Sequence, residues 1–226
     1  MCGRYAFYSP HEAVEDVFGP FVPGAVLPPP HWNIAPTTRV AVVRGRPDGR
    51  RELVLLRWGL IPSWAKDKSI GARLINARAE SLAEKPAFRT AYRRRRCLVL
   101  ADGYYEWQAT AGAKQPYYVQ ASDQRPFGMA GLWETWTDPA TQEPLETCVI
   151  VTTEASEAVR AIHGRMPVIV PGAAHAAWLD LALQSDALAA VAASAAIPLR
   201  SHPISRQVNS PANDGPQLIA DTSQRS

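Results

Sequence analysis

The middle of the chain constrains the fold most, because it consists of short segments with strand character. These segments are rich in Val, Leu, Tyr, Phe and Trp, and turn residues separate them. They are residues 97–101, 103–108, 117–120, 127–133 and 148–152. A Pro47-Asp48-Gly49 turn also joins residues 40–44 and 53–57 as a predicted hairpin. Helices are inserted irregularly between the strands, so the pattern predicts α+β rather than a doubly wound fold.

The segments with helical character lie on both sides of this β-rich region. They are residues 10–18, 79–93, 156–163, 173–184 and 186–195. No linker divides the chain, so we expect a single domain, residues 1–210. It would have a mostly antiparallel, barrel-like β-sheet core with flanking helices. Residues 211–226 are polar and predict a partly disordered C-terminal tail.

The composition excludes several classes of protein. No apolar run approaches the length of about 18 residues that a membrane span needs, and the N-terminus lacks the pattern of a secretory signal. Cys2, Cys97 and Cys148 are far apart, which suits a reducing compartment and predicts neither disulfides nor a structural zinc site. We therefore expect a cytoplasmic protein without metal or cofactor. Nothing in the sequence indicates an oligomer, so a monomer is expected.

The charge is distributed unevenly along the chain. Residues 1–100 carry 17 Lys and Arg against 8 Asp and Glu, a net charge of +9, whereas residues 101–226 carry 7 against 13, a net charge of −6. Of the 24 basic residues, 20 are Arg, whose planar side chain suits phosphates and stacks on bases. The bias indicates an anionic polymer as partner. A compositional bias of the genome explains the arginine content equally well.

Cys2 directly follows Met1, and this position allows chemistry that no other cysteine of the chain can perform. If Met1 is removed, Cys2 carries a free α-amine beside its thiol, with reference pKa values of about 8 and about 8.5. Such an aminothiol attacks an aldehyde twice, first through nitrogen to form an imine and then through sulfur to close a thiazolidine ring. The alternative is that position 2 only tolerates a small residue.

Asn76 and Arg78 lie two residues apart in a short extended segment, so both side chains can face one pocket. The alternative is that Asn76 caps a turn and Arg78 pairs with Glu80. Arg4, beside the Cys2 aminothiol, supplies another positive charge.

Glu106 and His163 are candidates for proton transfer. Glu106 sits in a strand between aromatic residues, where burial would raise the pKa of its carboxyl group and suit it to acid–base catalysis. A buried ion pair with an arginine is equally compatible with that position. His163 precedes Gly164 at the end of a predicted helix, where a histidine can move protons or can simply cap the helix. Trp58, Trp64 and Trp107 offer flat surfaces for stacking bases.

Blocks of sequence in a fixed order cover most of the chain, from Met1 to about Asp214. They read MCGRY, WNIAPT, RWGLIPSWAKD, INARAE, RRCLVLADGYYEW, GMAGLWE, TCVIVTTEA and IHGRMPVIV. The chain thereby resembles the SRAP (SOS response-associated peptidase) family, whose members shield abasic sites in single-stranded DNA. The resemblance implies the SRAP fold. It also implies a thiazolidine crosslink between an N-terminal cysteine and the ring-opened aldehyde of an abasic deoxyribose.

The family's functional residues correspond to residues of this chain by position within the blocks. The cysteine corresponds to Cys2, the active-site asparagine to Asn76, the glutamate to Glu106 and the histidine to His163. The resemblance further implies that Arg78 contacts a phosphate and that Arg4 assists in holding the strand, and Trp58 and Trp64 complete the expected DNA-binding set.

Two other functions remain compatible with these residues. In the first, Cys2 is the nucleophile of a cysteine peptidase that removes Met1 or cleaves other peptide bonds. In the second, the chain binds single-stranded or modified DNA without covalent chemistry.

Overall fold

A computed structural model describes residues 2–193 and 196–223. The strands are β1 Tyr5–Phe7, β2 His31–Ile34, β3 Arg39–Gly45, β4 Arg51–Trp58, β5 Asn76–Arg78, β6 Arg96–Ala101, β7 Gly103–Gln108, β8 Gln115–Ala121, β9 Phe127–Thr137, β10 Pro144–Glu154, β11 Arg165–Pro167, β12 Ile169–Val170 and β13 Leu199–Pro203. The α-helices are α1 His11–Phe18, α2 Arg89–Arg94, α3 Glu157–Arg160, α4 His175–Leu179 and α5 Ala187–Ala193. Short 3-10 helices span Lys68–Arg73, Ala79–Ser81, Gly172–Ala174, Leu181–Asp186, Arg206–Asn209 and Pro216–Ile219.

The larger sheet closes on itself into a five-stranded barrel. Its strands follow the order β10-β4-β3-β6-β9, and β9 pairs with β10 from Pro144↔Thr137 to Ile150↔Gly131, which completes the ring. Within the ring only the β10–β4 pair is parallel. β6 is buried along its whole length, as expected for a strand between the barrel interior and packed helices. The predicted α+β fold with a mostly antiparallel, barrel-like core is confirmed.

A second sheet carries the N-terminal strand beside the barrel. Its order is β13-β8-β7-β1-β2, and every neighbouring pair in it is antiparallel. β1 therefore lies between β7 and β2, with both of its edges hydrogen-bonded. This central position fixes the direction in which the chain extends backwards from Tyr5 to Cys2.

The helices cover the sheets and are shorter than the sequence pattern predicts. α1 buries Val14 and Phe18, and it ends where the Gly19 amide donates to the carbonyl of Glu15 at 2.8 Å. The predicted helix over residues 79–93 is a 3-10 turn followed by α2. Residues 194–195, at the end of the last predicted helix, lie outside the described residues. None of the helices in the described ranges has the length and apolar character required to cross a membrane.

Residues 211–223, which belong to the segment predicted to be partly disordered, pack against the second sheet in the structure. Leu218 is fully buried. The Thr222 amide donates to the carbonyl of Pro203 at 3.0 Å, and the carbonyl of Ile219 lies 2.8 Å from His202 Nε2. A polar segment can be ordered in this way when its few apolar side chains and its backbone groups find partners in the fold.

Candidate active site

Strand register brings the start of the chain alongside Glu106. β1 pairs with β7 through Tyr5↔Tyr104 and Ala6↔Gly103. The pairing continues beyond the strand, because the Tyr105 amide donates to the carbonyl of Arg4 at 3.0 Å. Antiparallel strands run in opposite directions, so each step back from Tyr5 towards Cys2 is a step forward towards Glu106. The short β1 strand thus sets the position of the N-terminal segment beside the acid.

The Cys2 thiol is buried. Its residue has no exposed surface. Burial raises the pKa of the Cys2 thiol, and the nearby negative charge of Glu106 raises it further, against a smaller opposing effect from the backbone N–H of Arg4. A thiol in this environment is not a free-standing thiolate nucleophile. Any chemistry at its sulfur requires a base or a neighbouring positive charge.

Asn76 joins the barrel to the N-terminal segment. β5 pairs in parallel with β10 through Ile150↔Asn76, which puts Asn76 at the barrel edge that faces Cys2. Its Nδ2 donates to the carbonyl of Cys2 at 2.7 Å, and within the described residues its buried Oδ1 accepts no hydrogen bond. The amide therefore holds the Cys2 backbone directly. The alternative in which Asn76 caps a turn is not observed, since the residue is in a strand.

Glu106 and His163 share one pocket. Glu106 is 2 % exposed, and burial raises the pKa of its carboxyl group, while nearby positive charge, that of His163 included, acts in the opposite direction. The side chain that opposes the shift is His163 rather than an arginine, so the alternative of an arginine ion pair is not observed. The two residues line an open pocket of about 500 Å³ together with Trp107, Lys114 and Arg206.

The ring of His163 is oriented by the next turn of the chain. It follows α3 and precedes β11, and its Nδ1 accepts a hydrogen bond from the Arg165 amide at 3.0 Å. Nδ1 also lies 3.1 Å from the carbonyl of Arg165, so the backbone of this turn fixes the orientation of the ring. A ring held in this way can exchange a proton with the pocket through Nε2.

Arg78 is exposed at the end of β5 and does not pair with Glu80. Glu80 instead accepts hydrogen bonds from both terminal nitrogens of Arg165. Nη1 lies 2.6 Å from Oε1, and Nη2 lies 3.0 Å from Oε2. This bidentate pair lowers the pKa of the Glu80 carboxyl group. The Arg78 guanidinium thus lies at the surface, one strand position beyond the buried Ala77, on the same side of the strand as Asn76.

The structure corrects the predicted roles of Trp58 and Arg4 in DNA binding. Trp58 is fully buried, its Nε1 donates to the carbonyl of Ile75 at 2.9 Å, and its ring meets Tyr5 edge-on at 5.4 Å, so it presents no face to a base.

The Nη1 of Arg4 donates to Asn33 Oδ1 at 2.7 Å and to the carbonyl of Val208 at 2.9 Å, so this guanidinium holds protein groups. Trp64, by contrast, is 60 % exposed and available for stacking.

Sequence reasoning missed the cations of the pocket, Lys114 and Arg206. Lys114 lies in the loop between β7 and β8, and Arg206 begins a 3-10 turn near the C-terminus. Neither belongs to a recognisable motif, and only the folded chain brings them to Glu106. Among the residues that the structure describes, no cluster of three His, Cys, Asp or Glu side chains has the arrangement of a metal site.

Comparisons with known proteins agree with this arrangement. The sequence profile of the SOS response associated peptidase (SRAP) family matches residues 1–211. The chain is 38 % identical over 224 residues to the abasic site processing protein YoqW of Bacillus subtilis, covering 97 % of this chain and 99 % of that one. It is 31 % identical to the abasic site processing protein YedK of Escherichia coli, again over 97 % and 99 % of the two chains.

A solved structure extends the similarity to the whole fold. The crystal structure of a protein from Bacteroides thetaiotaomicron superposes with a TM-score of 0.84 at 25 % identity, covering 97 % of this chain and 99 % of that chain. The similarity therefore extends over nearly the whole of both chains. The chain belongs to the SOS response associated peptidase (SRAP) family.

Proposed function

We propose that this protein processes abasic sites in single-stranded DNA by forming a reversible thiazolidine crosslink through Cys2 after Met1 is removed. The observation that carries the proposal is the convergence of four residues from distant segments. Asn76 Nδ2 lies 2.7 Å from the carbonyl of Cys2, the charge of Glu106 acts on the Cys2 thiol, and His163 acts on Glu106. An aminothiol beside a buried acid and an imidazole suits the capture of an aldehyde.

The first step is the opening of the sugar. An abasic deoxyribose is mostly a closed hemiacetal, and opening it moves a proton from the C1′ hydroxyl to the ring oxygen. The ring of His163, oriented by its contacts at Nδ1, is suited to donate a proton from Nε2 to that ring oxygen. The C1′ hydroxyl proton passes through solvent water to His163 as the aldehyde forms, so the ring regains the proton that it gave.

The α-amine of Cys2 attacks the aldehyde carbon and forms a C–N bond, giving a carbinolamine. Loss of water from the carbinolamine needs a proton on the departing hydroxyl. Glu106 can supply it, because burial raises the pKa of its carboxyl group and keeps the group neutral at a higher pH than an ordinary glutamate. This step leaves an iminium ion beside a Glu106 carboxylate.

Ring closure follows at the same carbon. The Cys2 sulfur forms a C–S bond as its proton passes to the Glu106 carboxylate, and the C=N π electrons become the nitrogen lone pair. The overall reaction joins one aminothiol and one aldehyde and releases one water, and Glu106 returns to its starting state. Because each step can run backwards, Glu106 and His163 would also catalyse release of the DNA. The crosslink would meanwhile protect the site from β-elimination and strand cleavage.

The surface around Cys2 supplies contacts for the strand. We propose that Arg78 contacts a phosphate and that Trp64 stacks on a base, since both are exposed. Single-stranded DNA is the favoured substrate, because an unpaired strand exposes its bases for stacking and its sugar for reaction without opening a duplex. This function implies a cytoplasmic protein that acts on the nucleoid.

The test compares wild type, Cys2→Ala and Cys2→Ser on a single-stranded oligonucleotide with one abasic site, followed by denaturing electrophoresis. Wild type should give a heat-stable shifted band. Cys2→Ala and Cys2→Ser should each give a band only after borohydride reduction, because both variants keep the α-amine that forms the imine but lack the sulfur that closes the ring. Mass spectrometry of the crosslinked peptide should find Met1 absent.

Other outcomes favour other functions. A crosslink of equal yield in Cys2→Ala would contradict the thiazolidine, because that variant lacks the sulfur. Repeated cleavage of a peptide substrate without a DNA adduct would favour the peptidase. DNA binding without any covalent band in wild type would favour the non-covalent binder.

A further inference from the structure

The C-terminal strap (residues 205–214) crosses to the N-terminal segment and forms one wall of the pocket. Its side chains Arg206 and Asn209 line the pocket opposite Glu106 and His163. Trp107 Nε1 donates to Asn209 Oδ1 at 2.8 Å, so the strap is tied directly to the strand that carries Glu106. Trp107 and Asn209 are about a hundred residues apart in the sequence, and they lie together at the rim of this pocket.

Asn33 is the anchor of the C-terminal strap. It is 1 % exposed, although it is a polar residue. Its Nδ2 lies 2.8 Å from the carbonyl of Asn213, 2.9 Å from that of Ser210 and 3.3 Å from that of Val208. A buried amide that faces three main-chain carbonyls of one segment holds that segment in a single position.

Arg4 completes the anchor from the N-terminal side. Its Nη1 donates to Asn33 Oδ1, and its Nη2 lies 3.2 Å from the carbonyl of Asn209. The amide of Trp32 adds a bond to Asp214 Oδ1 at 2.7 Å. Arg4 lies two residues after Cys2 and holds the strap. The location of the nucleophile and the location of Arg206 therefore depend on the same side chain.

Lys114 and Arg206 are the basic side chains of this pocket, and both are exposed. Among the described residues neither forms an ion pair, whereas the exposed Arg46, Arg50 and Arg125 each pair with an aspartate. They come from separate elements, the β7–β8 loop and the strap, and meet at one pocket beside the reactive group. A buried, neutral Glu106 would leave the pocket with an excess of positive charge.

We propose that Lys114 and Arg206 bind a backbone phosphate next to the abasic sugar, and that Arg4 and Asn33 act as positioning residues by fixing the C-terminal strap. This inference rests on the proposed function, because it takes the sugar to lie at Cys2 and Glu106. Every abasic sugar within a strand is flanked by phosphates, and a pair of cations at the pocket rim matches one of them. The pair would hold the sugar in place while the carbon reacts.

The experiment measures binding and capture separately for Lys114→Gln, Arg206→Gln and the double variant. Binding uses a single strand with a tetrahydrofuran abasic analogue, which cannot open to an aldehyde, titrated from 50 to about 300 mM salt. Capture is followed by mass spectrometry with an abasic strand and with free 2-deoxyribose, which carries no phosphate. Arg50→Gln is the control, because Arg50 is an exposed arginine in the hairpin at the far end of β4.

Because the two cations bind one phosphate, the double variant should lower the slope of log affinity against log salt by about 0.7 and weaken binding about fivefold at 0.1 M salt, and each single variant should lose less. The ratio of strand capture to deoxyribose capture should fall in the same proportion. A double variant with the affinity and slope of Arg50→Gln would overturn the phosphate subsite.

The two proposals fail in different ways. If wild type captures neither the abasic strand nor deoxyribose, the crosslinking function is wrong, and the tetrahydrofuran strand still decides whether the cations bind phosphate. If wild type captures both and the double variant keeps the wild-type ratio, the crosslinking function stands and the subsite is wrong.

Discussion

Replacing Asn33 with alanine should release the C-terminal strap while leaving both sheets folded. The substitution removes the Nδ2 donor that faces the strap carbonyls and the Oδ1 acceptor of Arg4. The backbone of β2 keeps its pairing with β1, because Asn33 uses its side chain for the strap. The damage should therefore be local.

The size of the effect follows from the bonds that are lost. An amide nitrogen has two hydrogens, so the three carbonyls near Nδ2 count as about two neutral hydrogen bonds, at about 1 kcal/mol each. The bond from the Arg4 guanidinium adds about 2 kcal/mol, because its donor is charged. The total, about 4 kcal/mol, corresponds to a factor of about 10³ in the opening equilibrium of the strap.

Native-state hydrogen exchange measures this opening directly. The reporters are strap amides with main-chain partners: Val208 to Ser205, Ser210 to Gln207 and Asn213 to Ser210. Their protection should fall by up to the same factor of about 10³, whereas amides of β6 should exchange as in wild type. Strand binding should fall as in Arg206→Gln, since Arg206 loses its fixed position.

Asn213→Ala is the matched control. It removes the same type of side chain from the strap itself, but its Nδ2 makes an exposed bond to the carbonyl of Gln207 at 2.8 Å. Exposed bonds contribute less because water replaces them, so protection should change by less than about tenfold. If Asn33→Ala exchanged no faster than Asn213→Ala, Asn33 would not be the anchor, and the coupling of Arg4 to the strap would lose its basis.

Two further predictions test the proton transfer and the stacking surface. Because burial raises the pKa of the Glu106 carboxyl group, crosslinking should fall as pH rises through that raised pKa and the donor is lost. Glu106→Gln should slow crosslinking about 10²- to 10⁴-fold and remove this decrease at high pH, without weakening the binding of a tetrahydrofuran strand. Trp64→Ala should weaken strand binding by about 1–3 kcal/mol in a fluorescence titration, whereas Trp58→Phe should lower the thermal midpoint and leave binding unchanged. Equal losses of affinity in the two tryptophan variants would contradict the assignment of Trp64 as the stacking surface.

The strands of the central region were predictable because their signals are local. The aromatic residues Tyr104, Tyr105 and Trp107 predict a strand over residues 103–108, and β7 spans Gly103–Gln108. A glycine is required where β7 begins, since a Cβ at Gly103 would lie 2.3 Å from Cζ of Tyr118. The closing of the barrel through β9 and β10, and the pairing of β13 with β8, depend on contacts between distant segments that no local pattern specifies.

The two tryptophans of RWGLIPSW show why exposure could not be predicted from the sequence. Trp58 and Trp64 lie in the same short block of the sequence. Gly59 has a φ of +123°, which turns the chain sharply at the end of β4, so that Trp58 remains in the core and Trp64 reaches the surface. The role of Arg4 was hidden for a different reason. Its acceptors are the carbonyls of Val208 and Asn209, about two hundred residues along the chain.

The burial of Cys2 determines the order of the proposed steps. Burial raises the pKa of the thiol, so the sulfur is a weak first nucleophile. The α-amine must therefore attack first, and loss of water then places the positive charge of the iminium next to the sulfur and leaves Glu106 as a carboxylate. Both changes favour removal of the thiol proton, and both are absent before the imine exists. A peptidase would need the thiolate at the outset, so the environment that disfavours peptide cleavage by Cys2 is the one that makes ring closure follow imine formation.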